Sequence, residues 1–327
     1  MLDDRVVVAR KPPGYCRIMA VPQVAHTGSG APSPDLAIAT HAVVTPARNE
    51  SVALRRLGAA LIAQTWRPQA WIVVENGSTD DTADVVLELA AEHDWIRLLS
   101  IEPPERPIRG FASARAFNSG VASLDFDAGL ITNADADISY EPDYFERLRA
   151  EFQRRPSVGI ASGLCHERHG GEWEPVYVTF PKIRGASLTY RAACLAQLAP
   201  VEERQGWDGI DVVRASLRGW ETATIPDLRY FHHRPTGVRD ANRFDGWTNE
   251  GAVSYYMWYR PLYLLVRTMY RVVGKRDLAA TGLVWGYARS FVRREARHPE
   301  RGFRELVHRW QAVRHMTSRF REVQGRP

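Results

Sequence analysis

From His41 onward the chain alternates two hydrophobic rhythms. Short apolar runs read as strands: Ala42-Val43-Val44-Thr45, Trp71-Ile72-Val73-Val74, Ile96-Arg97-Leu98-Leu99-Ser100-Ile101 and Gly129-Leu130-Ile131-Thr132. Between them, segments near 50–64, 80–92 and 111–123 carry longer helical patterns. The strands are continuous apolar runs, the signature of a parallel sheet buried on both faces. The predicted class is therefore α/β, a mainly parallel sheet flanked by helices. Ligands of such sheets sit beyond the carboxyl ends of the strands, where the polar turns of this chain fall.

Outside that region the texture changes. Residues 1–40 hold Lys11-Pro12-Pro13-Gly14 and a Gly/Ser/Pro stretch over 27–34, which predicts a loose leader. Three cysteines, Cys16, Cys165 and Cys194, stand far apart, an arrangement that argues against a disulfide framework or a zinc site and suits a reducing compartment. No apolar run reaches the length of a membrane span and no signal-peptide order opens the chain, so a cytoplasmic location is expected. The net charge of +5 hides an asymmetry, because residues 260–327 carry 16 Lys and Arg against five Asp and Glu. Such a tail suits a polyanionic partner, either nucleic acid or an anionic membrane surface.

The chemistry concentrates in the turns. Asp135 and Asp137 sit one residue apart at the end of a strand, where alternate side chains share a face. Two hard oxygen ligands side by side suit Mg or Mn. The first strand ends in Pro46-Ala47-Arg48-Asn49-Glu50, with Asn49 or Ser51 as helix cap. The second ends in Glu75-Asn76-Gly77-Ser78-Thr79, where Ser78 or Thr79 caps the next helix. Free amides at that helix start suit a phosphate, and Glu75 can accept from a nucleobase amide. Neither Gly-x-Gly-x-x-Gly nor Gly-Lys-Ser/Thr occurs, which argues against a dinucleotide fold and a P-loop.

The order of four elements resembles the family 2 glycosyltransferases of the GT-A fold: PARNE (46–50), VVENGSTDDT (73–82), RGFASARAFNSG (109–120) and TNADADI (132–138). The likeness continues through GASLTYR (185–191), WDGIDVVRASLRGW (207–220) and HHRPTG (232–237). It implies a catalytic domain over 41–240, with a nucleotide-binding half at 41–138 and an acceptor half at 139–240, followed by a basic helical extension over 241–327. It implies that Pro46, Arg48 and Glu50 line a nucleotide pocket and that Glu75 faces the base, with Asn76 and Ser78 completing its turn. Glu75 stands where the family usually has Asp. Arg109 and Arg115 become the cationic candidates for the donor phosphates, and Asn118 matches the family's helix asparagine. Asp137 becomes the direct metal ligand, and Asp135 either shares the metal or contacts the ribose. Gly185, Ala186 and Trp207 fall on the acceptor side.

Inverting transfer needs a carboxylate base for the acceptor hydroxyl. The family's Glu-Asp-x-Asp reads here as Trp207-Asp208-Gly209-Ile210-Asp211, so the usual base position is either Gly209 or, shifted by one, Asp208. Asp208 and Asp211 lie three apart and can share a helix face. Asp208, nearer the helix start, is the first choice and Asp211 the second. His232 and His233 follow a short strand, and adjacent residues there point oppositely, so only one, His232, is put forward as a ligand. His166 and His169 read as solvent-exposed in a Gly-Gly loop.

The last third predicts a membrane-facing surface. The stretch Tyr255-Tyr256-Met257-Trp258-Tyr259-Arg260-Pro261-Leu262-Tyr263-Leu264-Leu265-Val266 is aromatic and apolar, with Arg260, Arg267 and Arg271 in and beside it, a headgroup-level composition. Leu283, Tyr287, Phe291 and Val292, then Phe303, Leu306, Val307 and Trp310, recur at helical spacing among arginines. The alternative is that these helices pack on the catalytic domain. The expected function is transfer of a sugar from a nucleoside diphosphate-sugar to a hydroxyl of a glycan or lipid-linked acceptor, with a divalent cation. A non-catalytic sugar-nucleotide-binding relative is the alternative. Nucleic acid is not the expected partner, since it leaves the acidic first two-thirds without a role.

Overall fold

A computed structural model describes residues 38–103, 110–178, 183–234 and 242–312. Most of the predicted leader, Arg109 and residues 235–241 lie outside these. Residues 38–40, assigned by sequence to the leader, belong to the fold: Ile38 is buried, and Thr40 donates to the Asp127 carbonyl at 2.7 Å.

The first half is three βα steps and a fourth strand: β1 (His41–Ala47), α1 (Ser51–Ile62), β2 (Ala70–Glu75), α2 (Thr82–Glu92), β3 (Ile96–Ser100), α3 (Phe111–Ala122) and β4 (Leu130–Ala134). Each lies within a few residues of its predicted place. The second half adds β5 (Ile138–Tyr140), α4 (Tyr144–Arg154), β6 (Val158–His169), β7 (Glu172–Pro175), β8 (Ser187–Arg191), α5 (Ala192–Leu198), α6 (Trp207–Leu217) and β9 (Glu221–His232). One sheet runs in the order β3-β2-β1-β4-β8-β6-β9-β5, with β7 on β6. Strands β3, β2, β1 and β4 are parallel, β8 is antiparallel to both its neighbours, and β6 and β9 are again parallel.

Both sheet faces are covered, as the continuous apolar strands require. Leu54 and Leu57 of α1, Val86 of α2 and Phe152 of α4 pack on one face. Phe117 of α3, Leu195 of α5 and Val212 of α6 pack on the other. A third core forms where Ile210 and Val213 of α6 meet α7 (Arg243–Tyr256), α8 (Pro261–Met269), α9 (Gly282–Val292) and α10 (Phe303–Trp310). Tyr255, Tyr256, Met257, Tyr259, Leu264, Leu283, Tyr287, Phe303 and Val307 are buried there, so the surface predicted from these residues is core. Among the described residues, no helix is long and apolar enough to cross a membrane.

Candidate active site

The first two turns are stitched together. Asn49 takes a left-handed backbone, φ 56°, a conformation that Asn tolerates better than most residues. Its side-chain oxygen accepts from the Thr79 amide at 2.8 Å, and its own amide donates to Ser78 Oγ at 3.1 Å. The Glu50 amide donates to Thr82 Oγ1 at 2.8 Å. The helix starts are therefore held across the turns rather than by their own caps. Glu50 and Asp81 occupy the cap positions without a side-chain bond to their own helix, in place of the predicted Asn49 or Ser51 and Ser78 or Thr79. Glu75 folds back to accept from the Ser78 amide. Asn76 is buried, and its side-chain oxygen has no hydrogen-bond partner among the described residues. Pro46 is half-buried and Arg48 exposed at the same strand end.

Asp135 and Asp137 lie in the turn between β4 and β5 rather than in a strand. The turn is pinned on both sides: the Asp135 amide donates to the Ala186 carbonyl at 2.8 Å, and the His233 amide to the Asp137 carbonyl at 2.9 Å. Ligand atoms of Asp135, Asp137 and His232 all lie within 4.8 Å of one another. His232 sits between two carboxylates, Nε2 at 3.3 Å from Asp137 and Nδ1 at 3.2 Å from Glu167. Burial opposes its charge, but the two carboxylates outweigh it and raise its pKa to about 9. His233 points the other way, bonding Ser139 Oγ at 2.8 Å, as the alternation of an extended segment predicted.

Two residues without a role in the sequence reading complete this network. Arg234 contacts Glu50 at 2.5 Å and Asp137 at 3.3 Å, joining the first turn to the Asp135–Asp137 turn. Glu167, reached by β6, pairs with Arg184 and holds His232. Neither has a local sequence signal, because Arg234 and Glu50 are 184 positions apart.

The carboxylates are not equivalent. Asp135 is pushed up to about 7, first by burial and then by the charge of Asp137. Asp137 stays below the usual carboxylate range despite its own burial, because His232 and Arg234 favour its charged form. Buried acidic oxygens beside an imidazole suit a hard divalent cation, and the strain on Asp135 is of the kind that a cation relieves. These residues fit such an ion.

Asp208 and Asp211 occupy different worlds. Asp208 is half-buried in the first turn of α6, and its field is felt at Asp135. A Cβ on Gly185 would stand 2.5 Å from Asp208 Oδ2, so the loop passes directly against this carboxylate. Asp211 is fully buried, accepts from the Tyr190 hydroxyl at 3.0 Å and pairs with Arg214 at 3.4 Å.

The remaining candidates divide. Arg115 is half-buried on α3 and makes no ion pair among the described residues. Asn118 spends both ends of its amide on Val201, accepting at 2.9 Å and donating at 3.0 Å. Trp207, expected on the acceptor side, is buried, with its ring stacked on Phe117 at 5.4 Å. Ala186 is buried and Gly185 half-buried beside Asp208. His166 is buried in β6 against Phe231, not exposed as expected, and the side chain of His169 lies outside the described residues.

Known proteins resemble this chain in sequence and in fold. The family model described as "Glycosyl transferase family 2" matches residues 42–197. A curated relative, the probable glycosyltransferase YdaM of Bacillus subtilis (strain 168), is 32% identical over 95 residues, 28% of this chain. The match spans only 22% of that protein's length. Among solved structures, the mannosyltransferase PcManGT from Pyrobaculum calidifontis, in complex with GDP-Man and Mn2+, superposes with a TM-score of 0.53 at 18% identity over 86% of each chain. S. aureus TarS 1-349 in complex with UDP-GlcNAc gives 0.50 at 15% identity, over 87% of this chain and 81% of that one. At such identities the likeness speaks to fold alone. Motif order, family match and architecture agree: residues 42–197 form a family 2 glycosyltransferase segment, and the chain carries a GT-A fold.

Proposed function

We propose that this protein is an inverting glycosyltransferase that moves a sugar from a nucleoside diphosphate-sugar to a hydroxyl of a glycan or lipid-linked acceptor. The observation that carries the reading is the convergence of Asp135, Asp137 and His232 at the strand ends, with Asp208 beside Gly185 across from them.

Asp208 is the base. It takes the acceptor proton as that oxygen attacks the anomeric carbon and the bond to the diphosphate breaks, its electron pair leaving with the phosphate oxygen. Gly209 supports this choice. A side chain there would lean on Met257, at 3.5 Å from its methyl, and so toward the third core rather than toward Asp135. Asp211, bound to Tyr190 and Arg214, supports α6 from beneath. Asp137, Asp135 and His232 would hold a Mg or Mn ion, which when bound supplies positive charge against the leaving diphosphate. Arg115 is the phosphate cation that α3 offers, and Arg109 lies outside the described residues. Glu75 and the unpartnered oxygen of Asn76 suit a nucleobase or ribose. The structural neighbours were solved with GDP-Man and with UDP-GlcNAc, which supports a nucleoside diphosphate-sugar here without choosing the base or the sugar. The setting proposed is the cytoplasm, at the inner face of a membrane where such acceptors are built, and nucleic acid is not a partner.

The test is a thermal-shift screen of nucleoside diphosphate-sugars with and without Mn, followed by turnover of the best donor. A ligand that binds only the folded state raises the melting temperature. Stabilisation that needs both donor and metal is the expected result. If no sugar nucleotide shifts the wild type but shifts a known transferase run alongside, the reading fails.

A further inference from the structure

Helix α8 is apolar on the side facing away from the molecule as well as on the side facing in. Leu264 and Thr268 are buried against the third core. Opposite them Leu262, Leu265, Val266 and Met269 are 55%, 49%, 37% and 59% exposed, at the i, i+3, i+4, i+7 spacing of a single helical stripe. Val273, in the π-helical turn Tyr270–Gly274, extends it at 67% exposed. On α9, which packs beside α8, Trp285, Phe291 and Val292 are also exposed. Nine of the twelve large hydrophobic residues exposed among the described residues lie between 262 and 292, so this is a patch and not scattered surface.

The rim of the patch is cationic. Lys275 and Arg276 are exposed immediately after Val273, and Arg293 and Arg294 directly after Val292. Of the acidic neighbours, Asp277 is buried and tied to Arg243 and Trp247, and Glu295, exposed beside Arg294, offsets a single charge of the rim, which stays net positive.

We propose that this face docks on an anionic phospholipid surface, with the stripe in the acyl boundary and the rim at the phosphates. An apolar stripe rimmed by Lys and Arg fits that interface by chemistry on both counts. A second copy of the chain fits it poorly. A two-fold contact sets each patch against itself, and so brings the same arginines together. The inference goes beyond the proposed transfer reaction and does not depend on it, although together they bring the enzyme to a lipid-linked acceptor. Leu262, Leu265, Val266, Phe291 and Val292 of this face fall in the segments that the sequence predicts to meet a membrane, whereas Tyr255, Tyr256, Met257 and Tyr259 of those segments are core.

Vesicle co-sedimentation of the full chain tests it without any donor, so its outcome is independent of the transferase reading. Phosphatidylcholine vesicles are compared with and without phosphatidylglycerol, at low and high salt. The wild type is expected to bind the phosphatidylglycerol vesicles about tenfold more tightly, with the preference lost in high salt. The triple change Leu262→Ser, Leu265→Ser, Met269→Ser is expected to weaken binding about tenfold at an unchanged melting temperature. Arg293→Gln with Arg294→Gln is expected to reduce the anionic preference while leaving residual apolar binding. No binding to phosphatidylglycerol vesicles, or binding that ignores both sets of changes, overturns the proposal. So does a concentration-dependent dimer that the triple change dissociates, which would assign the face to a second copy.

Discussion

At the residue scale, the two aspartates of α6 divide support from chemistry by one difference in direction. Asp208→Ala removes the proposed base and is expected to lower turnover by about 10²–10⁴ while donor affinity in the thermal-shift assay holds. Unchanged turnover would remove the base assignment. Gly185→Ala reaches the same carboxylate from the other side. Its methyl would stand 2.5 Å from Asp208 Oδ2, so kcat should fall with little change in melting temperature, and an unaffected kcat would show that Asp208 need not stay where it is. Asp211 answers to pH. Burial raises its pKa to about 7, against an ordinary 3.8, so the folded state holds its proton longer than the unfolded chain. Stability from this group is therefore full below pH ~4 and is lost as pH rises toward ~7. Asp211→Asn keeps an acceptor for Tyr190 and removes the charge. Its melting temperature should change less than the wild type's between pH 5 and 8, as scanning calorimetry at several pH values would show. A slope equal to the wild type's would mean that another group sets it.

At the element scale, helices α3 and α6 are brought together by features with no catalytic chemistry. Gly110 begins α3 with φ 76°, and a Cβ there would collide with the backbone of Gln205, so the helix start lies against the loop that leads into α6. Asn118 fastens the same loop through Val201. Sequence likeness offers Asn118 as a site residue, whereas its bonds describe a clamp. Asn118→Ala leaves the Val201 amide and carbonyl without their partner and is expected to destabilise by about 1–3 kcal/mol in denaturant titration. A loss of turnover without that destabilisation would instead put Asn118 in contact with substrate.

At the scale of the whole molecule, the C-terminal helices pack on α6 and the loop before it. Ile210 and Val213 of α6 share a core with Leu264, Leu283 and Phe303, and Glu202, in the loop before α6, accepts from Tyr256 at 2.9 Å and meets His298 at 2.7 Å. Phe303 is fully buried, and Phe303→Ala is expected to cost about 3–5 kcal/mol. If unfolding monitored at the C-terminal helices and at the sheet separated into two transitions, the shared core would not be coupling them.

The alternation of strands and helices was legible in the sequence because it is written in local periods, each strand and helix carrying its own pattern over five to twelve residues. The polar turns were legible for the same reason, since a parallel sheet places them together at one edge whatever the details. Arg234, Glu167 and the burial of Asp211 were not, because each depends on chain segments brought together by folding, up to 184 positions apart. The C-terminal helices mark the boundary between the two kinds of knowledge. Periodicity reports that a helix has an apolar face, but α8 has two, and only the neighbours that pack against one of them decide which is left to meet something else.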